Sequence, residues 1–284
     1  MNTTIPNQFH FIFGLKNQKE PFHLAHYLCI ESCRRINQPD KIYFYYHNKP
    51  YGIYWELIKR HLTLEQVDLV PFIAKFPYGF RNRACKKYIY AHHSDFIRLK
   101  KLIQRGGIYA DIDTIFVKKF SDILLSKSFV LGREDDIWVG RSGLKRPSLC
   151  NALIMSQKGS EFAKIWLDAM EKEFDGSWSK HSTLLPYRLS KKYPDLIHIE
   201  PSRTFYRHMW TIEGIRTLFE ECDRDLEGVI SMHLWSHLWW SKKRKDFSSF
   251  HGDLITEDYI RNIDTTYNII ARPFLPQRED EHGW

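Results

Sequence analysis

Cysteine is scarce in this chain. Its five Cys in 284 residues (Cys29, Cys33, Cys85, Cys150 and Cys222) form no Cys-x-x-Cys pair. An odd number cannot all pair within one chain, and Cys29 and Cys33, four apart on an expected helix, lack the companions of a zinc site. Unpaired thiols fit a reducing, intracellular setting. Long apolar runs are missing as well: none nears the roughly 18 residues needed to cross a bilayer. Met1–Pro6 shows no basic segment followed by an apolar one, as a secretory leader would. The expectation is a cytoplasmic protein, soluble or at most peripheral at the inner membrane face. No Gly-x-x-x-x-Gly-Lys-Ser/Thr loop, Gly-x-Ser-x-Gly elbow or His-Glu-x-x-His pair occurs, which removes P-loop nucleotidases, nucleophile-elbow hydrolases and zinc proteases. No repeat of 20–50 residues argues for a solenoid.

What is present is globular. Hydrophobic residues make up 43% and charged residues 27%, enough for a sizeable core without staples. The 42 Lys and Arg against 34 Asp and Glu leave a net charge of +8. That balance favours a phosphate-bearing or polyanionic partner (nucleic acid, acidic lipid or nucleotide) without choosing among them. Aromatic residues reach 15%; most such rings fill cores, though their faces also suit bases and sugars.

Along the chain, Phe9–Phe13 reads as a strand, Leu24–Arg35 as a helix, Lys41–His47 as a strand, Tyr54–His61 as a helix and Val67–Ile73 as a strand. This alternation indicates βαβ units and an α/β fold built on a mostly parallel sheet. Between Arg81 and Arg105 lie eight Lys or Arg and a single acid, Asp95. Apolar residues recur there at helical spacing, so a long basic helix is expected, stopped by Gly106-Gly107. A strand over Ile108–Val117 follows, then a helix over Glu161–Phe174 and another ending near Tyr193. No linker divides the chain, so one domain over residues 1–271 is expected, with residues 272–284 as a loosely held tail.

The chemistry concentrates in Ser94-Asp95-Phe96-Ile97-Arg98 and in Gly106-Gly107-Ile108-Tyr109-Ala110-Asp111-Ile112-Asp113. On a strand, Tyr109, Asp111 and Asp113 share one face and Ile108, Ala110 and Ile112 the other. Two carboxylates so placed repel unless a cation joins them, and hard oxygen ligands suit Mn²⁺ or Mg²⁺ carrying a diphosphate. Asp95 and Arg98, three apart, are neighbours on one helix face. Arg98 could reach a phosphate and Asp95 a sugar hydroxyl, or the two could form a plain surface ion pair. The pair Asp135-Asp136, after Glu134, could supply a carboxylate near an acceptor or form a solvated loop. Lys242–Lys245 reads as a solvated face or a weak docking patch for anions, whether a diphosphate or acidic lipid.

Taken together, the block resembles the sugar-binding region of Asp-x-Asp glycosyltransferases. It is most similar to glycosyltransferase family 32 and more distantly to the clostridial glucosylating toxins. The resemblance implies a GT-A, Rossmann-like mixed sheet with an irregular, helical C-terminal portion. Asp95, Arg98, Tyr109 and Asp111 would then bind the nucleotide sugar. Ile5-Pro6 and the strand His10–Gly14 resemble the family's opening strand, which puts Phe11 and Phe13 at the nucleobase, Phe13 standing where the family has Trp. Asn151 in Asn151–Ser156 resembles the Asn-Ala segment beside the transferred sugar and joins Asp111 and Asp113 as a catalytic candidate. A Thr-Gly-Pro turn is usual before Tyr187, and Thr183-Leu184-Leu185-Pro186 replaces it here. His233–Trp240 resembles the closing His-x-Trp motif: His233 would complete the metal site of Asp111 and Asp113, and Trp239 would touch the diphosphate, with His237 and Trp240 as the alternatives if the register slips.

The implied activity is metal-dependent hexosyl transfer, with retention, from a nucleotide sugar (UDP-linked favoured) to a saccharide acceptor, free or lipid-linked, in surface glycan synthesis. The competing readings are a non-catalytic module binding nucleic acid through the basic helix and a transferase acting on a protein side chain. Under the favoured reading no nucleic-acid partner is expected.

Overall fold

The computed structural model describes residues 4–79, 83–139 and 144–277. Its elements run β1 (Gln8–Phe13), α1 (Leu24–Asn37), β2 (Lys41–Tyr46), α2 (Ile53–Lys59), β3 (Thr63–Gln66), α3 (Pro71–Ala74), α4 (Ile89–Arg105), β4 (Gly107–Ala110), β5 (Thr114–Phe116), α5 (Asp122–Leu125), β6 (Phe129–Val139), β7 (Leu144–Ser156), α6 (Glu161–Glu173), α7 (Leu185–Lys192), β8 (His198–Glu200) and β9 (Ser231–His233), with short helices between and after the last two strands. Seven strands form one sheet in the order β3-β2-β1-β4-β7-β6-β8, and β5 pairs with β9 in a separate ribbon. The β3-β2-β1-β4 half is parallel. β7 runs antiparallel to both β4 and β6, so the sheet is mixed.

Side-chain alternation divides the core between the two sheet faces. Ile108 and Ala110 of β4 join the cluster beneath α1, with Phe9, Phe11 and Phe44. Tyr109 joins the cluster beneath α4 and α6, with Phe96, Leu99 and Trp166. Three expectations need correction. The strand expected over Val67–Ile73 is instead β3, earlier and largely exposed, followed by a short helix that Pro71 opens at its first position, where its missing N–H is harmless. The long basic helix begins only at Ile89, after a 3₁₀ segment over Arg83–Tyr88, and Arg81 lies outside the described residues. Lys101 and Arg105 of α4 both pair with Glu65, and Arg98 is buried, so the helix does not present one free cationic face to a polyanion. Packing also continues past residue 271: Phe274 and Leu275 are buried and Arg272 donates to the Ile260 carbonyl at 2.8 Å. Tail residues 278–284 lie outside the described residues.

The Gly-Gly step between α4 and β4 is demanded by geometry. Gly107 sits at φ +104°, and a Cβ there would meet the Gln8 carbonyl oxygen at 2.5 Å and His10 Nε2 at 2.9 Å. Gly107→Ala is therefore expected to destabilise the fold by roughly 1–3 kcal/mol or more. A urea midpoint equal to that of the parent would refute this.

Candidate active site

The Asp-x-Asp segment is not one strand. β4 ends at Ala110; Asp111 N–H still bonds the Ala152 carbonyl of β7 at 2.7 Å, and Thr114 N–H closes a turn onto the Asp111 carbonyl at 3.0 Å. The chain then leaves the large sheet as β5, where Thr114 faces His233 of β9. The two acids converge because the turn folds them together, not because a strand alternates.

That pairing register brings His233 to the acids from 120 residues away. Its Nε2 lies 3.0 Å from Asp113 Oδ1 and 3.7 Å from Asp111 Oδ2. One ligand atom from each of the three residues falls within 4.8 Å of the others, and His237 is not in the group. Beyond β9, Trp235 adopts φ +53°, rare for a bulky residue. This bend aims the Ser236 N–H at Asp113 Oδ2, 2.8 Å away. Trp235 is held in place by an indole N–H donated to the His208 carbonyl.

Charge within the cluster is tightly coupled. Burial alone would raise the Asp113 carboxyl, but the His233 imidazolium and the bonds from His233 and Ser236 hold it well below the usual range. Burial works against the His233 proton, and Asp113 overcomes it, so His233 titrates higher than an ordinary imidazole. Asp111 is raised by burial, opposed by Arg98 and His233. A proton on His233 would thus offset the charge of Asp113, while Arg98 faces Asp111. Two carboxylates and an imidazole at this spacing fit a divalent cation, which could displace that proton.

Behind Asp111 lies a hub centred on Asp95. Arg98 is 3.3 Å from Asp111 and 3.2 Å from Asp95, and it donates to the Asn151 carbonyl at 2.6 Å. The Asn151 amide donates to Asp95 at 2.8 Å. Tyr109 donates its hydroxyl to Asp111 beneath the Arg98 guanidinium. Asn151 reaches this hub because the β6–β7 register jumps from Leu131↔Ile154 to Gly132↔Cys150, freeing the intervening β7 residues from β6. Asp95, Arg98, Tyr109, Asp111, Asp113, Asn151 and His233 therefore come together. Asp95 and Arg98 are buried and largely satisfy each other, so they brace the site more than they open onto it.

Two expected contacts are displaced. Phe11 is fully buried in the core under α1, so its ring offers no face to a base. Trp239 is fully buried too, packed on Phe219 and Phe250, and its indole N–H is given to the Leu234 carbonyl. The half-buried rings are Phe13, packed on Phe22 and His26, and Trp240, stacked on His26 at 5.1 Å. Of the basic run, Lys242 pairs with Asp253 and Arg244 donates to the His237 carbonyl.

Two residues went unread in the sequence. His181, on a π-helical turn over Lys180–Leu184, is fully buried with Nε2 2.9 Å from Asp95; π turns often mark functional sites, but no sequence pattern announces one. Glu134 is the acid that turns inward, whereas Asp135 is exposed and Asp136 lies 3.5 Å from Arg133 at the surface. Glu134 is buried with Oε1 lacking a protein partner. Its burial raises it to about 7, against hydrogen bonds from Ser148 and Cys150. Alternation along β6, which puts Val130, Gly132 and Glu134 on one face, was the available signal.

An acid pair at the end of β4 in a mixed α/β sheet, with an imidazole beside it and an Asp–Arg pair behind it, marks the candidate active site. A family model described as glycosyltransferase sugar-binding region containing DXD motif matches residues 26–130. Glucan organizing enzyme 1 of Cryptococcus neoformans var. grubii is 31% identical over 286 positions, covering 98% of this chain and 72% of that protein. The chain belongs to this family of Asp-x-Asp glycosyltransferases and is a transferase. Among solved structures, the galactosyltransferase LgtC with donor and acceptor sugar analogues aligns over 96% of this chain and 98% of its own, at 15% identity and TM-score 0.48. GlyE of Streptococcus pneumoniae TIGR4 aligns over 95% and 63%, at 14% identity and TM-score 0.47. Both likenesses are loose. Among the described residues no helix is long and apolar enough to cross a membrane.

Proposed function

We propose that the chain transfers a hexosyl group from a nucleotide sugar, UDP-linked by preference, to a saccharide acceptor with retention of configuration, using Mn²⁺ or Mg²⁺. The observation that carries this reading is the meeting of Asp111, Asp113 and His233 within 4.8 Å, on the rim of the Asp95–Arg98 hub. When bound, the cation supplies Lewis-acid neutralisation of the diphosphate leaving group. The protein holds that charge ready in advance. Ser236 N–H and His233 fix Asp113, Arg98 and Tyr109 fix Asp111, and Asn151 keeps Asp95 oriented toward Arg98, so little reorganisation is left for the reaction itself.

Retention lets the departing phosphate oxygen take the acceptor's proton, so no dedicated base is required. The exposure of Asp135 and the pairing of Asp136 with Arg133 accord with that. The name of the fungal relative supports glucan or a related surface polysaccharide as the product class. An acceptor carried on a lipid and a cytoplasmic site of action belong to the same reading. The test is a panel of UDP- and GDP-sugars screened for Mn²⁺-dependent turnover, followed by NMR of the first anomer released. Turnover of UDP-sugars with the donor's anomeric configuration kept is the expected result. Inversion, or turnover indifferent to the ion, would refute it.

A further inference from the structure

Three rings from three separate segments gather beside the acid cluster. Tyr88, just before α4, lies 5.2 Å from Trp178, in the loop after α6, and Trp178 lies 5.5 Å from His237, in the loop after β9. Tyr88 and His237 close the group at 6.4 Å. Trp178 keeps 39% of its surface exposed, a large apolar ring left in solvent.

Both of the loops behind these rings also serve the site. His237 follows Ser236, whose N–H holds Asp113. The Trp178 carbonyl accepts from Ser182, next to the His181 that supports Asp95. A second ring group, Phe13, His26 and Trp240, lies at the end of β1 on the α1 side of the sheet. A nucleotide sugar spanning from β1 across Asp111 and Asp113 would place its base at that second group and its hexose toward Asp95. The Tyr88–Trp178–His237 group, joined to Asp113 through Ser236 and to Asp95 through His181, leaves its indole open to a second saccharide.

Resting on the transferase reading, we infer that Trp178, Tyr88 and His237 form the acceptor subsite, a platform on which a pyranose ring of the saccharide lies with its C–H face against the indole. A pyranose has one face rich in C–H groups, and aromatic faces carry negative charge density that such hydrogens meet favourably. Sites of this kind combine a few apolar walls with sparse polar groups, here the partly exposed Asp111 at the edge of the hub.

The test uses the full chain with laminaritriose and maltotriose as acceptor probes. Saturation-transfer NMR reads binding of each saccharide alone, and UDP-glucose with Mn²⁺ reads transfer. Trp178→Ala is expected to raise the acceptor KM about tenfold, the loss of roughly one stacked ring contact, and to erase the saturation signal. Trp178→Phe should restore most of both, and Tyr88→Ala should weaken both in the same direction. A Trp178→Ala protein with the parent's acceptor KM and saturation signal overturns the inference. So does one whose UDP affinity falls as far as its saccharide affinity, since the rings would then hold the base. If the parent fails to bind UDP with Mn²⁺ while saccharide binding still depends on Trp178, the platform stands and the transferase reading falls.

Discussion

Asp113→Asn is expected to lower Mn²⁺-dependent UDP binding by at least about a hundredfold, and transfer with it. Loss of a mere supporting partner of a metal ligand already weakens metal affinity 10–100-fold, and Asp113 is in the cluster itself. The amide can still accept from Ser236 N–H, so the turn should survive while the charge goes. The pH dependence follows from the shifts in the ion-free protein. Asp113 is depressed from 3.8, so its contribution to stability is present above about pH 4 and lost as pH falls through its folded value. His233 is raised from 6.5, so its contribution is full below about pH 6.5 and lost as pH rises through its folded value. The pair therefore supports the ion-free fold most between about pH 4 and 6.5, and the substitution should destabilise it most in that window. Cation affinity in the parent should rise with pH as His233 gives up its proton. Isothermal titration across pH and urea unfolding in EDTA check both, and unchanged UDP binding in Asp113→Asn would remove the basis of the site.

Glu134→Gln should act in the opposite sense on stability. The folded carboxyl is raised from 4.5 to about 7, so the folded state binds its proton more tightly than the unfolded chain does. Stability then falls as pH climbs from about 4.5 to 7 and stays lowered above that. The difference corresponds to about 3 kcal/mol, as an order of magnitude. A neutral amide escapes this penalty. Glu134→Gln is expected to be more stable than the parent at pH 8 and to lose that advantage near pH 5, read from urea midpoints in EDTA. An equal difference at both pH values would show that Glu134 does not titrate in this range. A buried carboxyl that weakens the fold at neutral pH is the sort of group that function retains.

The part of the site written in neighbouring residues was legible. Strand alternation put Ile108 and Ala110 on one face and Tyr109 on the other, as found, and the helix spacing of Asp95 and Arg98 put them within 3.2 Å. The parts set by distant partners were not. The turn at Asp111–Asp113 exists because Thr114–Phe116 pairs with β9 instead of continuing in the large sheet, and no local pattern encodes a partner so far along the chain. The same holds for the rings: Phe11, Trp239 and Trp178 look alike as letters, yet tertiary packing encloses the first two and leaves the third in solvent. β3 escaped because an exposed polar edge strand has little hydrophobic period to detect.

Asp111 is the last residue after β4 still bonded to the large sheet, whereas His233 is in the small ribbon and Asp113, just before it, is bonded to it through the Leu234 N–H. A cation shared among them would tie the end of β4 to the ribbon that packs in the same core, and its binding energy would add to the stability of that connection.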